Sequence, residues 1–285
     1  MSSSEEVADA MSENTTHESS KSSNPLLQLS GLGRRYGERW GIRNLNASLE
    51  AGEVVGFLGP NGAGKTTTIK MIAGLLVPSE GHVVIDGNDV MKESELAKEQ
   101  LSYIPDRPSI PPRLSARELL EYIAGLHGLD GDVVNRAGIP ALARFGLEGR
   151  EDDLLGIYSH GMRQRALLAA AWMRNPKVWL VDEPMVGLDP QGARLVKQTL
   201  RQAADKGATV LLSTHSLDVA EEICDRVLVL RQGELVAQGA IAELRSQLPE
   251  GKNLDDEANL EELIIALTGE SAEVSVASAD FMTLS

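Results

Sequence analysis

The 285-residue chain holds a single cysteine, which excludes an internal disulfide framework and fits a reducing compartment. Its longest uncharged apolar run, 166–173, has eight residues, where a membrane-spanning helix needs roughly 20. A basic excess is missing too. The formal charge of −15 argues against a dedicated nucleic-acid binder, which needs a positive footprint. Residues 1–24 have neither the apolar stretch nor the basic start of a secretory signal, and no fixed-period repeat runs along the chain. The expectation is a cytosolic protein. Any role at a membrane then requires a partner that supplies the spanning helices.

What is present is unevenly distributed. Residues 1–24 carry five acids against one lysine, and residues 249–285 carry nine against one. Subtracting both ends from −15 leaves −3 for the body, so the acidity belongs to the termini and says little about a partner. Residues 1–24 are rich in Ser, Glu and Asn; they cannot bury enough surface to offset ordering entropy and are expected to be disordered. The folded body is expected over 25–245. Leu26, Leu27 and Leu29 open a strand, and further strands are expected at 53–58, 83–85, 178–181, 209–212 and 227–230. Helix-compatible stretches separate them, and strands alternating with helices predict an α/β fold with a largely parallel sheet. Residues 115–170 change character, within a helical subdomain expected over about 107–170. Leu119, Tyr122, Ile123 and Leu126 recur at helical spacing, which predicts a helical insert. In the extension 246–285, Leu260, Leu263, Ile264 and Leu267 predict an amphipathic helix over 255–269.

The chemistry concentrates after the 53–58 strand. Gly59, Pro60, Asn61, Gly62, Ala63, Gly64, Lys65 and Thr66 match G-x-x-x-x-G-K-[ST], and a helical stretch with Thr67 in its first turn follows. Glycines let successive N–H groups wrap phosphate oxygens, and the helix N-terminus favours the anion. Lys65 is suited to the β/γ-phosphates of ATP and the Thr66 hydroxyl to Mg²⁺. The apolar strand 178–181 ends in Asp182 and Glu183, at the sheet edge where α/β proteins bind ligands. Asp182 would hold Mg²⁺ through its water shell, and Glu183 would act as general base on the attacking water. Alone, such a pair is usually just a solvated strand end.

Further motifs sharpen the picture. Tyr158-Ser159-His160-Gly161-Met162 resembles the LSGGQ signature of ATP-binding cassette (ABC) ATPases, Gly187-Leu188-Asp189-Pro190 their D-loop, and Ser213-Thr214-His215 their switch-histidine segment. Tyr36, in Arg34-Arg35-Tyr36-Gly37, sits where that family stacks an aromatic ring on adenine. Singly, Ser159 reads as well as a helix N-cap, His215 as a loop histidine and Tyr36 as packing; their joint order across about 25–245 carries the resemblance. It implies a P-loop NTPase core with an N-terminal antiparallel β portion and a helical insert. It also implies a head-to-tail pair of subunits enclosing two MgATP, a homodimer here because both motif halves look usable. Ser159 and Gly161 would then face the γ-phosphate held on the partner copy's Lys65. His215 would orient the water and Glu183, and Asp189 would link the two sites. A separate transmembrane permease would place the protein on the inner face of the membrane, with the near edge of its docking groove at 107–112.

Two departures are visible. His160 and Met162 replace the signature's first glycine and its glutamine, while Asp106 stands at the Q-loop glutamine, where an acid can still ligate Mg²⁺ or its water. Both features resemble bacterial exporter ATPases for drugs, lipids, sodium or polysaccharide. The alternatives are a non-hydrolysing ATP-gated switch, which Asp106 keeps open, a DNA-maintenance ATPase, which would need sustained heptads, and a two-cassette translation factor, which would need a second phosphate loop.

Overall fold

The computed structural model describes residues 24–246. Two sheets share the work. The first is antiparallel, in the order β2-β1-β4-β5, with β1 Leu27–Tyr36, β2 Arg39–Leu49, β4 Glu80–Ile85 and β5 Asn88–Asp89. The second runs β10-β9-β3-β8-β7-β6. Its members are β3 Val54–Leu58, β6 Leu101–Ile104, β7 Val178–Asp182, β8 Thr209–Thr214, β9 Arg226–Arg231 and β10 Glu234–Gly239. Every pairing in it is parallel except β9 with β10. The α/β class, the parallel sheet and the antiparallel portion all agree with the sequence reading.

The central strands are apolar because both of their faces are covered. On β7, Val178 and Leu180 join the core shared with the first sheet and α1 (Lys65–Ile72), while Trp179 and Val181 join the core on the opposite face. That second core contains α5 (His160–Arg174) and α6 (Pro190–Asp205). Between β6 and β7 the chain forms α3 (Ala116–Leu126), a π-turn at Val134–Gly138, α4 (Ile139–Arg144) and a 3₁₀ turn at Leu155–Ile157. A complete capping box starts α3: Ser115 Oγ accepts from Glu118 N, and the Glu118 carboxylate accepts from Ser115 N at 2.7 Å.

The apolar stripe expected on α3 divides. Leu119 is buried, but Tyr122 and Leu126 project outward with 57% and 65% exposure. The helix buries Ala116, Leu120 and Ala124 instead, because its packed face is turned toward α5 and the π-turn. Short α2 (Ser94–Glu99) and α7 (Leu217–Ile223) connect strands, and α8 (Ile241–Ser246) follows β10. The tail expected before Asn24 and the helix expected at 255–269 lie outside the described residues.

Candidate functional site: a phosphate cradle at the ends of parallel strands

The cradle exists because β3 must turn sharply into α1. Gly59 and Gly64 adopt φ of 155° and 107°. A Cβ at Gly64 would lie 2.4 Å from Ile42 Cδ1 and 2.6 Å from the Gly41 carbonyl, so no other residue fits there. Gly64 also begins α1 with no side-chain cap, which leaves backbone N–H groups of the first turn facing the loop. Lys65 is buried, and its Nζ donates to the carbonyls of Gly59 at 2.5 Å and Pro60 at 3.3 Å. Burial pushes the Lys65 pKa down, and the carboxylates of Glu183 and Asp182 oppose that push.

Neighbouring strands bring the acids. Asp182 ends β7 and is nearly fully buried; its carboxylate accepts from Ser213 Oγ at 2.7 Å and from Thr66 Oγ1 at 3.4 Å. Glu183 leaves the strand with φ of 48°, a left-handed backbone that side chains rarely adopt, fixed by its N–H donating to Ser213 O at 3.0 Å. Its Oε2 lies 3.0 Å from His215 Nδ1.

These groups open onto a cavity of about 570 Å³. Of the residues singled out from sequence, Pro60, Asn61, Gly62, Gly64, Lys65, Thr66, Thr67, Asp106, Asp182 and Glu183 line it. Gly59 and Ala63 shape it from behind, through the Lys65 contact and a buried methyl. Tyr36, Ser159, Gly161, Asp189 and His215 lie outside the lining. Tyr36 packs over Gly41, which is itself part of the wall: a Cβ there would meet the ring at 2.9 Å. Ser159 caps α5, with its Oγ accepting from Met162 N at 3.2 Å, and Asp189 caps α6 in the same way, accepting from Gly192 N at 2.7 Å. The two caps belong to one surface, since a Cβ on Gly161 would meet Leu188 at 2.7 Å and one on Gly187 would meet His160 at 3.3 Å.

Sequence reasoning missed Gly41, Lys70, Tyr103, Pro105 and Arg107, all of which line the cavity. Arg107 Nε lies 3.8 Å from Asp106 Oδ2, so the acid at the Q-loop position has a neighbouring cation. Burial and the charges of Asp182 and Asp106 push the Tyr103 phenol up to about 12, which keeps it a neutral donor. Among the described residues no three carboxylate, histidine or cysteine side chains converge into a metal cage. A divalent cation therefore fits here only as Mg²⁺ does, with one or two protein oxygens and the rest from phosphate and water. Thr66 and Asp182 offer those oxygens, already in contact with each other. The cradle, the uncapped helix and the buried lysine suit a bound polyphosphate.

The fold and this cavity define a P-loop nucleotide-binding domain. The sequence profile of the ABC transporter family matches residues 42–186. EcsA, an ABC-type transporter ATP-binding protein of Bacillus subtilis (strain 168), is 34% identical over 247 residues, covering 87% of this chain and 98% of its own. The linearmycin resistance ATP-binding protein LnrL of the same organism is 34% identical over 223 residues, covering 78% and 72%. Nod factor export ATP-binding protein I of Burkholderia orbicola (strain AU 1054) is 36% identical over 207 residues, covering 73% and 68%. A solved ATP-binding subunit of an ABC transporter superposes with a TM-score of 0.78 at 33% identity, covering 85% of this chain and 99% of that one. The ATP-binding cassette MJ0796, solved as a dimer bound to ADP and Pi, gives 0.69 at 26% identity, covering 75% and 98%. The chain belongs to the ABC transporter family and is an ATP-binding subunit. No helix among the described residues is long and apolar enough to cross a membrane.

Proposed function

We propose that the chain hydrolyses ATP as a head-to-tail homodimer and so drives a separate permease, in the direction of export. The observation that carries this reading is the Glu183–His215 pair, held beside the phosphate cradle at the ends of adjacent strands. An ionised carboxylate only accepts hydrogen bonds, so in this pair His215 Nδ1 carries the proton and donates it. Glu183 then keeps its other oxygen for the water that attacks the γ-phosphate, and takes that water's proton as general base. Lys65 and the first N–H groups of α1 bind the phosphates. Thr66 and Asp182 would hold a bound Mg²⁺, with Asp106 reaching it through a water of its shell, and the ion would supply charge neutralisation at the phosphates.

Dimerisation completes the site. In this reading Ser159 and Gly161 contact the γ-phosphate bound by the other copy, and Asp189 joins the two sites. Their position outside the cavity of their own chain, together on one surface, supports a role in trans. The solved MJ0796 dimer with ADP and Pi supports both pairing and hydrolysis. The outward Tyr122 and Leu126 of α3 suit a docking face for the permease. CbiO1 of Clostridium perfringens, 27% identical with a TM-score of 0.69, is described as part of the transporter complex cbiONQ. The printed name of the Nod factor export protein supports the direction of export.

A non-hydrolysing switch is the second reading, on the single ground that Asp106 replaces the Q-loop glutamine. Light scattering of the Glu183→Gln chain with and without MgATP tests the main one. A shift from monomer to dimer mass with nucleotide is expected. A monomer at saturating MgATP, alone and with its permease, would overturn the paired mechanism.

A further inference from the structure

Two features of the first sheet stand apart from the phosphate cradle: the guanidinium of Arg34 and the stitching that surrounds it. Arg34 and Tyr36 are two residues apart on β1, so their side chains leave the same face. The Arg34 Cζ lies over the Tyr36 ring, 5.1 Å from its centroid. Arg34 Nη1 donates to the carbonyl of Val77 at 2.8 Å. Its Nε is buried with no hydrogen-bond partner among the described residues. A buried donor left unpaired costs free energy, so this orientation is set by the ring and the Val77 carbonyl rather than by the best use of the donors.

The Val77 anchor is part of a seam. Ser79 N donates to Gly33 O at 2.8 Å, and Arg35 N donates to Ser79 Oγ at 3.0 Å. The same segment leaves α1, with Leu75 N and Leu76 N both donating to Lys70 O. Thus the helix that presents N–H groups to phosphate is bound, through residues 75–79, to the strand that carries Tyr36. Half the Tyr36 surface remains open, and its edge rests on Gly41 in the cavity wall.

We propose that Arg34 is a positioning residue for the purine base: it covers one face of Tyr36, fixes the ring at a set distance from the phosphate helix, and leaves the other face for adenine. This rests on the reading of Tyr36 as the adenine stack. A cation over one face costs the ring its freedom before the base arrives, so less ordering remains to be done on binding.

The test measures equilibrium affinity of the full chain for ATP and for inorganic tripolyphosphate, both with Mg²⁺, in wild type, Arg34→Ala, Arg34→Lys, Tyr36→Ala and the double Arg34→Ala/Tyr36→Ala variant. Arg34→Ala should weaken ATP roughly three- to tenfold, the range of a partly exposed cation–π contact, and leave tripolyphosphate within about twofold. Intact tripolyphosphate binding also shows that the variant is folded. Arg34→Lys should recover part of the loss, and the double variant should bind ATP no worse than Tyr36→Ala, because both act through one ring. Equal losses for both ligands would mean a plain charge effect, and tighter ATP binding would mean that Arg34 occupies the base's own face; either overturns the proposal. If Tyr36→Ala removes the preference for ATP while Arg34→Ala does not, only the role of Arg34 fails. A wild-type chain with no preference for ATP over tripolyphosphate would remove the stacking reading and this role together.

Discussion

His215 Nδ1 and Glu183 Oε2 meet at 3.0 Å although 32 residues separate them in sequence. The parallel register of β7 and β8 causes this: Asp182 pairs with Ser213, so the residues just beyond each strand emerge side by side. The exposed imidazole thereby steadies a carboxylate that its own backbone already holds in a left-handed turn.

If Glu183 is the base, removing its charge removes proton acceptance and little else. Glu183→Gln is predicted to lower steady-state phosphate release about 10²–10⁴-fold while ATP affinity is retained. Turnover at the wild-type rate would show that another group takes the proton.

Asp106 is predicted to report on the metal. Asp106→Asn keeps the shape and removes the charge, so the Mg²⁺ concentration needed for half-maximal ATP binding should rise several-fold, on the order of 0.5–1.5 kcal/mol. An unchanged magnesium titration would assign the acid to Arg107 alone.

How much of this was legible beforehand follows from locality. The phosphate loop is a contiguous run, and the strands flanking it are apolar on both faces, so β3, β7, β8 and β9 could be read directly. Strand β2 could have been read from the alternation of Leu45, Ala47 and Leu49, and the β9–β10 hairpin from Gln232-Gly233, which both take positive φ as a tight hairpin turn demands. Gly41 and Arg107 had no such signal. They reach the cavity through the packing of β2 behind the loop and through the exit from β6, and neither relation is encoded in spacing. The outward turn of Tyr122 and Leu126 was hidden for the opposite reason, since periodicity reports an apolar stripe but not which part of it is covered.

Arg174 locks the far end of α5. Its guanidinium, partly desolvated, donates to Leu101 O and Ser102 Oγ at 2.9 Å and to Glu99 O at 3.0 Å. Arg174→Ala strands those acceptors and should destabilise the fold by about 2–4 kcal/mol, with Lys a poor substitute because it lacks the planar fork. Denaturant midpoints would decide; a loss below about 0.5 kcal/mol would mean that water replaces the guanidinium.

Cys224 offers a pH handle. Burial, helped by the neighbouring Asp225 carboxylate and opposed by Arg201, pushes its thiol from 9.0 up to about 12. The folded state then holds a proton that the unfolded state releases, so this group's contribution is present below pH 9 and fades as pH climbs toward 12. The fall in denaturant midpoint between pH 8 and 10 should be smaller in Cys224→Ala than in wild type. Identical slopes would show that the thiol is not linked to folding. Iodoacetamide should also leave the native chain unmodified at pH 8 and label it once unfolded.

The Lys65 ammonium gives two of its three N–H donors to the Gly59 and Pro60 carbonyls of its own loop. The third donor is left for a phosphate oxygen. The lysine is thus aimed by backbone atoms of the same loop that wraps the anion.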